Sequence, residues 1–505
     1  MSESKPTRNS IPSIDDSLAN VGASSARGGA WAVAAEGIDF VLRIVAIAVL
    51  ARMLIPEHFG LISMVTAITA VAERFKDAGL SIATVQSKEI THDQISVLFW
   101  VNVVFSGFLA AIVAGLAYPI VTFYGDERLR DITWAIALSF LFGGATVQHH
   151  ALLRRTMQFR LIALIQLGAS LGSIVIAVAI ALLGGEYWAL VAREVSRSVL
   201  LFVGSWLCMP WRPGRPKRGT NVRPMLGFGW HMMLTNIIFY VSFSLDHVLV
   251  GRMFGATALG FYRQGYNLVT APAVQIGYPA GLVGEPALAR LRERPQDYRL
   301  YLHKLLTILS FISMPSLFFV VVYADALVAI ALGPGWDEAT NIFRVLGLAF
   351  FMQPTANMAG CVMISCGLGR RTVALSLLNA VTLVSMFLLC SRFGPEGIAF
   401  AHAATFFVLL WPKLVLSTRG TPATPGLFVS AVWRPLVCTL GAGAAMAGFR
   451  EVVPIERPSL ELLAGVAGGL VVYLGLWAID ARGRTQLRGM VADLKSLRAS
   501  RSPAG

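Results

Sequence analysis

Apolar runs of about twenty residues recur along this chain, and short polar segments rich in glycine, proline and charge separate them. A helix needs about 20 apolar residues to cross a bilayer, so each run predicts a membrane-spanning helix. The predicted spans are 28–51, 60–86, 97–123, 131–150, 161–183, 188–209, 225–253, 259–288, 302–323, 338–366, 371–392, 397–417, 428–448 and 460–479. The predicted fold class is an all-α polytopic membrane protein with about 14 transmembrane helices.

Composition supports the same class. The 505 residues are 56% hydrophobic and only 14% charged, whereas soluble proteins carry about 25% charged residues. The first twenty residues are polar and lack the apolar core of a signal peptide, so the first helix is expected to direct insertion. The five cysteines all fall in or beside apolar runs without metal-ligand spacing, which favours a role in helix packing.

The net charge of +14 is not spread evenly. Lysine and arginine concentrate in alternate connections, namely 154–160, 210–224, 290–299 and 370–371, and in the C-terminal tail. This positive-inside pattern predicts that both termini face the cytoplasm, and it accounts for the charge without nucleic-acid binding. The tail has an apolar helical face among its basic residues, which predicts an amphipathic segment on the inner membrane surface.

Two segments in opposite halves of the chain resemble each other. "RMLIPEHFGL" at 52–61 aligns without gaps with "RMFGATALGF" at 252–261, and "RRT" occurs at 154–156 and again at 370–372. "GEYWALVA" at 185–192 aligns with "PEGIAFAH" at 395–402. The matches keep the same order, which predicts two pseudo-symmetric six-helix lobes around a central cavity, followed by two additional helices.

The predicted domains follow from this repeat. They are a disordered cytoplasmic tail (1–27), an N-terminal lobe (28–209), a basic cytoplasmic linker (210–224), a C-terminal lobe (225–418), two additional transmembrane helices (428–479) and a basic cytoplasmic tail (480–505).

The first span carries charges that lipid does not tolerate cheaply. Glu36, Asp39 and Arg43 fall within about 60° of one another on a helix, so they form one stripe. Asp39 and Arg43 are four residues apart and can form an ion pair, but that pairing is expected to leave Glu36 without a partner. A water-filled cavity would accommodate all three.

Other spans supply similar residues: Arg193, Arg197, Asp246, His247, Arg263 and Asn267. We expect these residues, with the stripe of the first span, to line a cavity for substrate or ion. Its mixture of cations and acids suits an anionic, polar cargo whose binding is coupled to an ion.

The sequence contains no catalytic or nucleotide-binding motif in the structural context that such a motif requires. "GASLG" at 168–172 fits a nucleophile elbow but lies within an apolar helix, where Gly168 and Gly172 indicate helix packing. No G-x-x-x-x-G-K-[ST] or H-E-x-x-H occurs. The sequence therefore predicts no enzyme, no cofactor, no metal site and no ATP-driven step.

Seven segments together resemble the Wzx-like polysaccharide and lipopolysaccharide exporters of the multidrug/oligosaccharidyl-lipid/polysaccharide (MOP) superfamily, close to the colanic-acid exporter group. They are "LARMLIPEHFG" (50–60), "DAGLSIATVQ" (77–86), "VLFWVN" (97–102), "LLRRTMQFR" (152–160), "GGEYWALV" (184–191), "LDHVLVGRMFGATALGFYRQGYN" (245–267) and "GPGWDEA" (333–339). "GEPALARL" (284–291) departs from the pattern through Glu285.

The resemblance implies a flippase for undecaprenyl-pyrophosphate-linked oligosaccharide repeat units in the bacterial inner membrane, working by alternating access. H⁺ and Na⁺ are the candidate coupling ions, and a polysaccharide polymerase and a chain-length regulator are candidate partners.

Three other functions are weighed against this one. A cation-coupled drug or metabolite antiporter of the same superfamily would favour an acidic cleft, against which Arg43, Arg193 and Arg263 argue. A membrane polysaccharide polymerase would need a catalytic constellation, commonly on a long loop, and every connection is short. A scaffold would not need buried charges on several spans.

Overall fold

The computed structural model describes residues 21–75, 80–87, 90–216, 223–453, 455, 457–479, 481 and 483–489, and within them it contains helices and no strand. The helices are α1 (Val21–Ala51), α2 (Pro56–Phe75), α3 (Leu80–Gln86), α4 (His92–Gly115), α5 (Ala117–Tyr124), α6 (Arg128–Arg155), α7 (Phe159–Leu182), α8 (Trp188–Cys208), α9 (Arg223–Leu291), α10 (Pro295–Val322), α11 (Ala324–Ala331), α12 (Asp337–Phe350), α13 (Gln353–Ser365), α14 (Gly369–Cys390), α15 (Gly394–Thr418), α16 (Pro425–Val452) and α17 (Pro458–Ile479).

The all-α prediction is confirmed, and each predicted span corresponds to helical backbone wherever the chain is described. Helices prevail because a spanning segment must satisfy its own backbone hydrogen bonds in lipid. By length and hydropathy, seven stretches of the described chain could cross a membrane. One of them, Gly369–Thr418, contains both α14 and α15, and the bent pair α12 and α13 adds an eighth stretch if it is one span.

Local chemistry sets several helix boundaries. Thr91 and Gln94 form a capping box at the start of α4, and the Thr424 side chain caps α16 directly before Pro425. Gly255, with φ of 82° and ψ of −177°, interrupts α9 between residues 223–254 and 256–291. That left-handed φ favours glycine and separates the predicted seventh and eighth spans.

The repeat detected in the sequence has a physical counterpart. A β-carbon on Gly60 would lie 1.7 Å from the carbonyl oxygen of Ala256, and one on Gly260 would lie 1.9 Å from that of Pro56. In the alignment of 52–61 with 252–261, Gly60 is equivalent to Gly260 and Pro56 is equivalent to Ala256. The two contacts are therefore the same contact made once in each direction between the two segments. Glycine is needed at both positions because any side chain would collide with backbone.

The "RRT" match is placed differently in the two halves. Residues 154–156 end α6, whereas residues 370–372 lie in the first turn of α14. This match therefore does not mark equivalent helix positions.

The chain divides into two compact units, Met1–Arg263 and Gln264–Gly505. In the first unit α1 packs on α7, α7 on α8, and α6 on both α4 and α8. In the second unit α16 packs on α10 and α17, and α14 packs on α15. The reciprocal glycine contacts help to explain why residues 223–263 cluster with the first unit. The domain boundaries predicted from the sequence stay a prediction.

Parts of four predicted segments lie outside the described residues: 1–20 of the N-terminal tail, 76–79 of the second span, 217–222 of the linker, and 480, 482 and 490–505 of the C-terminal tail. The five cysteines are free thiols.

Candidate functional site

The charged stripe of α1 is held together by Arg43. Its Nη2 lies 3.0 Å from Glu36 Oε1, and its Nε lies 3.1 Å from Asp39 Oδ2. The expectation that pairing would leave Glu36 over is therefore wrong. A guanidinium has five N–H donors in a planar fork, so one arginine can serve two carboxylates.

Asp39 also joins α1 to α7. The Ser170 hydroxyl donates to Asp39 Oδ1, and both side chains are buried. Ser170 lies inside "GASLG", next to small residues that allow two helices to approach closely. Within that motif, a β-carbon on Gly172 would meet Leu200 of α8 at 2.7 Å, whereas Gly168 has open space.

Helix α8 completes the site with Arg193, Glu194 and Arg197. Together with Arg43 and residues of α7, they surround a cavity of about 130 Å³ within the first unit. The cavity is lined by Arg43, Ser170, Ser173, Ile174, Arg193, Glu194 and Arg197. Since a water molecule occupies about 30 Å³ of liquid, the cavity has room for about four waters. A space of this size accepts a small polar group, not an oligosaccharide.

Arg193 stands out among these cations because its Nε is buried and has no hydrogen-bond partner among the described residues. An unpaired buried donor costs free energy, which an incoming acceptor would recover. Geometry thus marks Arg193 as the cation most ready to bind an anionic group.

The charges around the cavity balance. Three arginines, namely Arg43, Arg193 and Arg197, face three carboxylates, which are Glu36, Asp39 and Glu194. The stripe of α1 contains two of the acids, and α8 contains two of the bases. The site is therefore polar and close to neutral, with three arginines and Glu194 on the cavity wall.

Asp246 and His247 belong to a second buried cluster. Asp246 Oδ1 accepts from the His247 backbone N–H at 2.8 Å and lies 2.7 Å from its Nδ1. Asp246 Oδ2 accepts from the Tyr262 hydroxyl at 3.0 Å. These residues lie on either side of Gly255, so the cluster ties the two arms of α9 together.

The other two predicted site residues lie close to the unit boundary. Arg263 is half-buried at the end of the first unit, and Asn267 is half-buried in the second. Their predicted roles stay predictions. In the part of the chain that the structure describes, no group of histidine, cysteine or acidic residues could hold a metal ion.

Sequence reasoning placed Glu36, Asp39, Arg43, Arg193 and Arg197 at one site, and the structure brings these five together. It missed Ser170 and Ser173, although the serine within "GASLG" was a usable signal for Ser170. Serine on an apolar helix is compatible with packing alone, so only the partner on α1 reveals the role of Ser170.

The described part of the chain has seven or eight stretches long and apolar enough to cross a membrane, which defines a multi-pass, all-helical membrane protein. Two solved structures have this fold. A lipid II flippase MurJ in an inward closed conformation matches with a TM-score of 0.71 at 12% identity, covering 89% of this chain and 98% of that one. An inward-facing multidrug resistance transporter of the MATE family, in the MOP superfamily, matches with a TM-score of 0.59 at 11% identity over 79% and 95%.

The model of the family described as "Polysaccharide biosynthesis protein" matches residues 49–341, more than half of the chain. The chain belongs to this family. Its relatives include the lipopolysaccharide biosynthesis protein WzxC of Escherichia coli, at 25% identity over 67% of this chain and 69% of that protein. The succinoglycan biosynthesis transport protein ExoT of Rhizobium meliloti is 24% identical over 94% and 96%. A membrane protein of the cps region of Klebsiella pneumoniae is 26% identical over 66% and 70%.

Proposed function

We propose that this protein is a flippase that moves undecaprenyl-pyrophosphate-linked oligosaccharide repeat units across the bacterial inner membrane, for lipopolysaccharide or exopolysaccharide biosynthesis. The observation that carries the proposal is the cavity wall of Arg43, Arg193 and Arg197. Family membership supports the biosynthetic context, and the names of ExoT and MurJ support transport and flipping. The protein acts as a transporter and not as an enzyme.

The cavity suggests how the cargo divides between protein and lipid. The pyrophosphate is the part of the cargo that arginines bind well, because guanidinium donors match phosphate oxygens in geometry and charge. The prenyl tail stays in the bilayer, since moving it into a polar cavity would forfeit about 0.8 kcal/mol per CH₂. The sugars then occupy space that opens during alternating access.

An ion gradient is the proposed energy source, with H⁺ or Na⁺ as the coupling ion. Asp39 is a suitable site for such an ion because it is a buried carboxylate next to the cavity. A polysaccharide polymerase and a chain-length regulator are the proposed partners that receive the product.

Both termini and the linker 210–224 are proposed to face the cytoplasm, because their lysines and arginines resist translocation. Single cysteines at Thr220 and Gly335 in a cysteine-free background, probed with an impermeant thiol reagent, test this orientation. Gly335 should label in intact cells, and labelling at Thr220 would reverse the topology.

The test of function is the fate of lipid-linked repeat units after deletion of the gene. We expect intact repeat units to accumulate in the cytoplasmic leaflet, where an externally added glycosidase or lectin cannot reach them. Unpolymerised units on the outer side would instead place the protein after flipping. A normal distribution of repeat units, combined with sensitivity to cationic drugs, would favour an antiporter.

A further inference from the structure

The two acidic partners of Arg43 differ sharply in their surroundings. The Asp39 side chain is 11% exposed, whereas the Glu36 side chain is 54% exposed. Both contact the same guanidinium at nearly equal distances, 3.1 Å and 3.0 Å. The two contacts therefore have similar distances but differ in the free energy needed to break them.

Asp39 is fixed in place. One of its oxygens accepts from Ser170, the other contacts Arg43 Nε, and the side chain is buried between α1 and α7. Releasing Arg43 from Asp39 would leave a buried carboxylate short of a cation, which is costly.

Glu36 is easily released. Within the described part of the chain its one polar contact is with Arg43 Nη2, and about half of each side chain is exposed. Because protein encloses neither side chain fully and the contact is a single one, breaking it costs less than breaking the buried contact of Asp39. Glu36 is seven residues from Arg43, so the arginine side chain lies back along α1 to reach it.

We propose that Glu36 is a resident anion: it occupies Arg43 while the cavity is empty, and a phosphate group of the cargo displaces it. This inference deepens the proposed function and rests on it. Arg193, with its unpaired Nε, makes the first contact with the phosphate. Arg43 then exchanges Glu36 for the phosphate while Asp39 keeps the guanidinium against the cavity wall.

The exchange has a consequence for occupancy of the site. Every anion that uses Arg43 must first overcome the Glu36 contact, so the affinity of the site is lowered for all of them. Weak anions, such as chloride and simple carboxylates, then bind too weakly to occupy the site, whereas a pyrophosphate with several charged oxygens still binds. Glu36 therefore sets how tightly an anion must bind to occupy the site, without needing to touch the cargo.

The test measures the affinity of inorganic pyrophosphate for the purified full-length protein in lipid nanodiscs by calorimetry, at constant ionic strength. Glu36→Gln keeps the side-chain shape and removes the competing charge. We expect its dissociation constant to be about two- to fivefold lower than that of the wild type, the range that an exposed ion pair allows. In the double variant Glu36→Gln with Arg43→Gln, this gain should vanish relative to Arg43→Gln alone.

Asp131→Asn is the matched control. Asp131 is a carboxylate of similar exposure, 46%, paired with Arg130 at 3.1 Å and absent from the cavity lining. Asp131→Asn changes the net charge by the same amount as Glu36→Gln, so an effect of overall charge would tighten pyrophosphate binding in both variants. Equal tightening, no tightening in Glu36→Gln, or a gain that persists without Arg43 would each overturn the proposal.

Failure of this inference can be separated from failure of the proposed function. If the wild type binds pyrophosphate and Arg193→Met does not, the site stands, and the response of Glu36→Gln decides the role of Glu36. If neither the wild type nor Glu36→Gln binds pyrophosphate, the anion site itself is wrong, and the resident anion is rejected with it.

Discussion

Two clusters of arginines and carboxylates, one in each compact unit, use the same chemistry for different ends. In the first unit Arg43, Arg193 and Arg197 border a cavity, and the buried Nε of Arg193 has no partner in the part of the chain that the structure describes. In the second unit Asp325 accepts from Arg344 at 2.6 Å and from Arg450 at 2.8 Å.

The second cluster joins four helices. Asp325 lies on α11, Arg344 on α12, and Arg450 on α16, and Glu461 of α17 contacts Arg450 Nε at 2.7 Å. The Arg450 guanidinium also lies 5.8 Å from the ring centre of Tyr323. Aromatic and small residues of α10, α16 and α17 pack beside it in a buried core that includes Phe319, Tyr323, Tyr473 and Trp477. This network fixes the two additional C-terminal helices to the second unit.

The difference teaches that charge in a membrane helix does not by itself indicate a binding site. The first cluster borders a cavity and includes the buried Nε of Arg193, which has no partner among the described residues, whereas both acids of the second cluster contact arginines on other helices. A satisfied network contributes to stability, whereas an unsatisfied cation beside a cavity is available to a ligand. Three substitutions test this distinction and a fourth tests an ion pair outside both clusters, from the largest expected effect to the smallest.

Arg193→Met should abolish most transport while leaving the protein folded. It removes a cation whose contact with phosphate is worth about 1.5–3 kcal/mol, so polymer export should fall at least about tenfold. Export in a deletion strain is measured alongside membrane abundance. Arg344→Met, the same change in the second cluster, is the control and should reduce abundance more than export per molecule. Normal export by Arg193→Met would show that this cation is not needed for transport and would contradict the distinction between the two clusters.

Asp325→Asn should act on stability. Arg344 and Arg450 would lose their shared carboxylate, and we expect a loss of about 1 kcal/mol because the side chains are partly exposed. The midpoint of thermal unfolding in detergent should fall, while transport per folded molecule stays the same. Lost transport with an unchanged midpoint would show that the second cluster also serves function.

Ser170→Ala should loosen the first cluster without removing a charge. Asp39 would lose a hydrogen bond worth about 1 kcal/mol, which positions Arg43, so the initial transport rate should fall about two- to fivefold. Ser316→Ala is the control, since Ser316 is exposed and its hydroxyl donates to the Ile312 carbonyl of its own helix. Equal rates in both variants would mean that Ser170 only packs α7 against α1.

Asp126→Asn tests an exposed ion pair between α5 and α6. The Arg128 guanidinium donates to Asp126 and lowers the pKa of that carboxyl below its ordinary value of 3.8. A lowered pKa contributes stability above about pH 4 that is lost as the pH falls through the folded-state value. The wild type should therefore exceed the variant slightly in unfolding midpoint at pH 6, and the gap should narrow as the pH falls below about 4. A gap that does not narrow with falling pH would contradict the assignment.

Much of the fold follows from the sequence because the bilayer leaves few choices. Apolar runs separated by polar breaks predicted fourteen spans, and helical backbone is found at each of them wherever the chain is described. The 100° turn per residue was enough to place Glu36, Asp39 and Arg43 on one stripe. The aligned glycines at 60 and 260 also pointed to the repeat that the reciprocal contacts realise.

Tertiary structure alone decided which charges meet. Ser170 and Asp39 are 131 residues apart in the chain, and nothing local to either residue specifies their contact. The rotamer of Arg43 determines that it holds Glu36 as well as Asp39, and helix packing determines that Arg193 and Arg197 share its cavity. Hydropathy is a property of each segment by itself, so the sequence displays it directly. Hydrogen bonds and cavities depend on how distant helices rotate and approach, and those are set only when the whole bundle packs.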